Sequence, residues 1–310
     1  MYHNTYDRVR GSWWGAIVAQ SLLNQLLSEP QARLHSQSWL IQRQKLATSI
    51  LKQELSVGYL QKLIADLALP ITNLQHNSSL LSLLPAIVFP ANKSMLQLKN
   101  IVESNLKSAN EPIQIAINQD ALGWEYLLTS VLSCKLDLVA QKRVIRNVIE
   151  YRLGTSGLLA NKLGLVAREI ENGSSLGSIV EQLSPLKGFT STAIALAWYC
   201  FATTPQDFRL SIKRASLVAT NFAWLTIALT GTLSGAYNGM AEISAFGRTE
   251  GENPQEQLER HLCEKLSQDW LGIYAYERRD LFYNHNLEAI ALPGLIQTRQ
   301  SLKIVSQKLI

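Results

Sequence analysis

The stretch VATNFAWLTIALTGTLSGAYNG, positions 218 to 239, contains no charged residue, and a second uncharged stretch, FTSTAIALAWYCFATTPQ (189 to 206), lies just before it. Segments this long without charge are hidden from water, either in lipid or at the centre of a folded body. Thr220, Asn221, Thr226, Thr230, Thr232, Ser234 and Asn238 put too many hydroxyls and amides on the first stretch for a surface that faces lipid. Gly231, Gly235 and Gly239 recur every fourth residue, so one face of the helix lacks side chains and another backbone is expected to approach it closely. The expectation is a core helix. The alternative is a membrane hairpin across 189–239, in which the same glycines would form a small-residue face.

Elsewhere apolar residues recur at helical spacing: Leu46, Ile50, Leu51 and Leu55 form one stripe, and Val144, Ile145, Val148 and Ile149 another. Stop signals fall at Gly58, Pro70, Pro85, Pro90, Gly154 to Gly157, Asn172-Gly173, and Pro185 to Gly188. Strand-length alternation is hard to find, so the expected fold class is all-α. After the uncharged block, FGRTEGENPQEQLERH (246 to 261) is polar and rich in turn formers. It separates a compact many-helix domain, 1–245, from a C-terminal helical extension, 246–310, expected to pack on or beside it. The extension carries the aromatic stretch WLGIYAYERRDLFY (270 to 283) and closes with LIQTRQSLKIVSQKLI, in which Leu295, Leu302, Val305 and Leu309 share a face. Such a face suits a docked last helix, and also a helix that binds a partner or lies on a membrane surface.

A chain of 310 residues, 47% apolar and 17% charged, has enough apolar surface for a large core and is no disordered segment. The net charge of +5 comes from scattered residues and never forms a run, which argues against nucleic acid as a partner. Cys134, Cys200 and Cys263 are widely spaced and read as reduced thiols. No small-residue cleavage site follows the N-terminal apolar run, so a cytoplasmic location is expected.

Four blocks, in order, resemble the ADP-ribosylglycohydrolase family, the group that includes dinitrogenase reductase-activating glycohydrolase. GTLSGAYNG (231 to 239) is similar to its last glycine block, and DRVRGSWWGAIVAQSLLN (7 to 24) to its opening helix. HNSSLLSLLPAIVF (76 to 89) is similar to its Gly-Asn-Gly-containing stretch, and residues 189 to 221 to the helix pair before the final block. The resemblance covers residues 7 to 245 and implies a single all-helical domain with a cleft. In the family that cleft holds two Mg ions, which orient a water against a ribosyl bond of ADP-ribose.

Two Mg ions need several hard oxygen ligands, chiefly carboxylates. The resemblance places them in a Gly-Asp-Ala-Leu-Gly end of the first helix, a Thr-Asp-Asp segment, and a Gly-Asp-x-Asp-Thr segment before the glycine block. Here these positions read Ala19-Gln20-Ser21-Leu22-Leu23, His35-Ser36-Gln37-Ser38, and Asn221-Phe222-Ala223-Trp224-Leu225. Thus Phe222, Trp224, Ser36 and Gln37 stand at former metal-ligand positions and none is acidic; aromatic filling of a vacated metal site is the expectation. Asn77 matches the asparagine of the ADP-ribose-contacting block, which makes Asn77 and Ser78 the candidate ligand-binding residues, but His76 and Ser78 stand where the block has glycines, so nucleotide binding is not the favoured expectation.

No other constellation supplies catalysis. The histidines lack HxH or HExxH spacing. GTSGLL (154 to 159) lacks the GxSxG pattern and reads as a helix stop followed by a new N-cap, and GSSLGS (173 to 178) lacks the strand and lysine of a phosphate loop. His261, Cys263 and Glu264 point in different directions on a helix. The functional expectation is a catalytically inactive relative that binds a protein partner, of unknown identity, as a regulatory or assembly protein without a cofactor. The alternative is an Mg-dependent hydrolase using the unaligned acids Glu29, Asp207 or Glu242, although Asp207 reads better as a helix N-cap.

Overall fold

The computed structural model describes residues 5–26, 30–51, 79–88, 112–133, 138–153, 157–184, 186, 188–218, 223–244 and 254–271. Among them the chain is helical and no strand occurs. In order, the helices are α1 (Thr5–Leu26), α2 (Pro30–Leu51), α3 (Ser79–Ser82), α4 (Leu84–Val88), α5 (Pro112–Ser133) and α6 (Leu138–Val148), which continues as a π-turn over Ile149–Leu153. Then follow α7 (Leu158–Glu171), α8 (Leu176–Leu183), α9 (Phe189–Ala202), α10 (Phe208–Ser216), α11 (Ala223–Asn238), α12 (Met240–Ser244) and α13 (Pro254–Leu271).

The uncharged stretches become α9 and α11, and both are buried on nearly every side. Their hydroxyls and amides enter the core because the helices satisfy them internally. Thr230 donates to Thr226 O at 2.7 Å and Thr232 to Ala228 O at 3.0 Å. Asn238 Nδ2 donates to Ser234 O at 3.0 Å and across to Pro205 O at 2.9 Å. Helices of 14 and 16 residues reach about 21 and 24 Å, short of a hydrocarbon layer of about 30 Å. Among the described residues no helix is long and apolar enough to cross a membrane, so the hairpin alternative has no helix to carry it.

The backbone expected to approach the glycine face is α1, running antiparallel to α11. Gly11 and Gly15 of α1 meet Gly235 and Gly231. A Cβ on Gly15 would lie 2.7 Å from the Gly231 carbonyl carbon, and one on Gly235 would lie 2.7 Å from that of Gly11. A Cβ on Gly231 would also come within 2.6 Å of the Ala19 Cβ. Neither helix therefore has room for a methyl group at these positions. Beside this seam, Arg8 Nε donates to Ala236 O at 2.8 Å and its terminal nitrogen to Val131 O. One guanidinium thus serves the unsatisfied carbonyls at the C-terminal ends of α11 and α5.

Around the α1–α11 pair, α9 and α10 pack on α11, α5 and α7 on α9, and α12 and α13 on α1. Four tryptophans, Trp13, Trp39, Trp124 and Trp198, are fully buried. Local signals mostly act as expected. Asp207 caps α10 by accepting from Leu210 N at 2.8 Å, and Gly173, at φ 66, follows the Asn172 C-cap of α7. Gly157 opens α7 as its N-cap. Pro85 differs from its expected role as a stop: it sits in the first turn of α4, where a missing N–H costs nothing.

Backbone contact at the α1–α11 seam predicts opposite outcomes for two glycine substitutions. Gly15→Ala is expected to cost about 3 kcal/mol, because no side-chain movement can relieve a clash with backbone. Gly164→Ala in α7, where the nearest atom to a new Cβ is Ile149 Cδ1 at 3.9 Å, is expected to gain about 0.5–1 kcal/mol. Urea unfolding of both variants tests this, and equal effects would remove the backbone-contact explanation.

Candidate functional site

Of the residues drawn into the sequence-derived site, the side chains of Trp224 and Gln20 are described. Trp224 stands in the first turn of α11 and is buried, at 9% exposure. Gln20 is buried on α1, and its side-chain oxygen accepts from Trp39 Nε1 at 3.0 Å. A neutral amide engaged by an indole needs no ion to balance it. Ser36 and Gln37 fall within α2, and their side chains lie outside the described residues, as do Glu29, Asn77, Ser78 and Phe222. Among the described residues no group of three or more His, Cys, Asp or Glu could hold a metal ion.

The other acids are not gathered at this end. Asp207 is the exposed cap of α10, near Pro205, whose carbonyl takes the Asn238 amide at the C-terminal end of α11. Glu242 is exposed in α12, just beyond that same end. The length of α11 puts both about 20 Å from Trp224.

Trp39 leads from Gln20 into a buried polar chain that sequence reasoning missed. Its carbonyl accepts from Ser82 Oγ at 3.2 Å, and Ser82 also lies 3.1 Å from Gln42 Oε1, which joins α3 to α2. One turn on, the Arg43 guanidinium lies between two indoles, 4.5 Å from the centroid of Trp13 and 4.6 Å from that of Trp39. Arg43 is fully buried and pairs with Glu259 of α13, 1% exposed, at 2.5 Å. Trp13 Nε1 donates to the same Glu259 oxygen at 2.7 Å. Burial lowers the Arg43 pKa from its ordinary value, and the Glu259 carboxylate opposes that shift. Arg43 Nε and Glu259 Oε1 have no hydrogen-bond partner among the described residues. The pair thus fixes α13 to α1 and α2, with some of its polar capacity left unused.

A second buried cluster joins α5, α7 and α9. Ser191 donates to Asp120 Oδ1 at 2.6 Å, and Lys162 Nζ donates to Thr192 Oγ1 at 2.5 Å and to Gly188 O at 2.7 Å. Asp120 is 3% exposed and Lys162 1%. Burial pushes the Asp120 carboxyl up to about 7, against the opposing effects of Ser191 and Lys162. Burial draws the Lys162 ammonium down to about 8, against the pull of Asp120. The other ionisable groups on these elements are Glu125 and Tyr126 on α5, Arg168, Glu169 and Glu171 on α7, and Tyr199 and Cys200 on α9; α11 carries only Tyr237. Cys200 and Cys263 are buried, and burial raises each to about 12, so both stay thiols rather than nucleophilic thiolates. His261 is exposed while Cys263 is buried, as the helical spacing implied.

No family model, no curated protein and no solved structure matches this chain.

Two measurements follow from the buried pairs. Arg43→Met and Glu259→Leu should each cost about 3–5 kcal/mol by stranding a charge, and the double variant much less than their sum; additive costs would mean that the two do not act as a pair. For Asp120 the raised folded value means that stability is lost as pH rises from about 4 towards 7. For Lys162 the lowered value means that stability returns as pH rises from about 8 towards 10.5. Relative to Asp120→Asn/Lys162→Met, the wild type should therefore be weakest between pH 7 and 8 in urea titrations. A difference that is level across pH would contradict this.

Proposed function

We propose that this chain is a non-catalytic relative of the ADP-ribosylglycohydrolases that works by binding another protein. The observation that carries the proposal is the chemistry at the positions where the resemblance puts metal-binding carboxylates. Gln20 presents an amide already engaged by Trp39, and Trp224 presents a buried indole. Neither supplies the anionic oxygen that an Mg ion requires. The all-helical fold and the glycine seam between the opening helix and the last block agree with the resemblance. The hydrolase alternative is weakened by the placement of Asp207 and Glu242 at the far end of α11, where Asp207 is already engaged as a cap.

Thermal unfolding with excess Mg, with ADP-ribose and with both tests the proposal. A ligand at a hundred times its dissociation constant stabilises by about 2.7 kcal/mol, so binding would raise the midpoint visibly. The expected outcome is an unchanged midpoint in all three. A shift that requires Mg would overturn the proposal in favour of the hydrolase, and a shift with ADP-ribose alone would replace the protein-binding role with nucleotide sensing.

A further inference from the structure

Helix α10 is satisfied on its inner side, where Phe208, Ser211, Ile212 and Ala215 are all buried. Its outer side departs from the usual pattern. A surface helix ordinarily turns polar residues to solvent, yet Leu210 is 42% exposed and Leu217 67%. The two lie seven residues apart, which is two helical turns, or about 10 Å along one row. Leu217 belongs to that row because it caps the helix with helical backbone angles, φ −80° and ψ −5°. Lys213, also exposed, stands between them. One exposed leucine is ordinary on any surface. Two in register on the outermost row make an unpartnered helix face.

Charge narrows what fits that face. Arg209 and Lys213 are exposed, while the acid of this segment, Asp207, is engaged as the cap that accepts from Leu210 N. The helices packed on α10, α9 and α11, contain no charged residue. Lys213 accordingly has no carboxylate partner among the described residues. Arg214, by contrast, is held by the body: its Nη2 donates to the Tyr199 hydroxyl at 3.2 Å, and its guanidinium lies 5.5 Å from the centroid of that ring. The outer row therefore offers two apolar contacts with an uncompensated positive charge between them. A facing helix with an apolar stripe and carboxylates beside it matches both, because the leucines enter the stripe and a Glu or Asp reaches the ammonium. Pairing the face with itself would set Lys213 against its own counterpart across the two-fold axis, at a cost in like-charge repulsion. A lipid surface fits less well, since immersing a single row of two leucines takes the ammonium between them down as well. We propose that the α10 face formed by Leu210, Lys213 and Leu217 is a docking site for an acidic amphipathic helix of a partner protein. This site rests on the protein-binding role given above and supplies the surface and the partner chemistry for it.

The test uses a fluorescein-labelled synthetic helical peptide with leucines at i, i+3, i+4 and i+7 and glutamates on its flanks, titrated with the full chain and read by anisotropy. Saturable binding is expected. Leu210→Ser/Leu217→Ser should weaken it by about tenfold. Lys213→Glu should weaken it several-fold and improve binding of a second peptide that carries lysines in place of the glutamates. Since Lys213 is exposed, that reversal reads the site independently of any loss of fold in the leucine variant. No binding, equal binding of the two peptides by the wild type, or binding unchanged in both variants would overturn the site. Leucine-dependent binding of the chain to phosphatidylserine vesicles would overturn it in favour of a membrane surface. A sedimenting dimer that the leucine variant abolishes would do so in favour of self-association. Failure here and failure of the non-catalytic role are distinguishable: an Mg-dependent rise in the unfolding midpoint removes that role whether or not the peptide binds, and absent peptide binding with an unchanged midpoint removes this site alone.

Discussion

The structure depends on a contact in which side chains are absent. Where α1 crosses α11, Gly11 and Gly15 face Gly235 and Gly231, and the two backbones are closer than any Cβ would permit. Attraction at such a contact comes from dispersion between main chains and from weak Cα–H···O interactions, each small and all distance-dependent. That closeness puts α11 at the centre, where every neighbour must cover it. It follows that α11 has no charge, that its threonines bond to its own carbonyls, and that Arg8 bonds the last turns of two helices beside the seam.

The legible and illegible parts of this fold differ in range. The glycines of α11, its lack of charge, the Asp207 cap and the Asn172-Gly173 stop are local patterns, and each could be placed from neighbouring residues alone. The partner of the glycine face could not, although DRVRGSWWGA carries the matching Gly11 and Gly15. The buried Arg43–Glu259 ion pair was missed for the same reason, since its partners lie 216 residues apart. A signal was nevertheless present. Arg43 shares a helical face with Trp39, Leu46 and Ala47, and Lys162 one with Leu159, Leu163 and Val166, so each is a lone charge on an apolar stripe. Such a charge implies a buried partner without identifying it. At the candidate site, Gln20 and Trp224 drew attention only through the resemblance of the motif blocks, since an amide and an indole carry no local mark of a site.

The two buried pairs do different work. Arg43–Glu259 is surrounded by two indoles and links α2 to α13, while Trp13 of α1 donates to the same carboxylate, so it selects a single register for α13 on α1 and α2. Nonspecific apolar contact through Leu262 and Leu266 would tolerate sliding; a charge that must meet its partner does not. Asp120 and Lys162 instead both hold the first turn of α9, through Ser191, Thr192 and the Gly188 carbonyl.

The α1–α11 seam also has a consequence in time. Arg8 and Ala236 are 228 residues apart, so α1 leaves the ribosome long before its backbone partner exists. At about 5–20 residues per second the interval is on the order of 10–50 s. Until then the glycine face of α1, which has no side chains of its own, lacks the backbone that covers it in the folded structure. That helix reaches its final surroundings only once residue 238 has emerged.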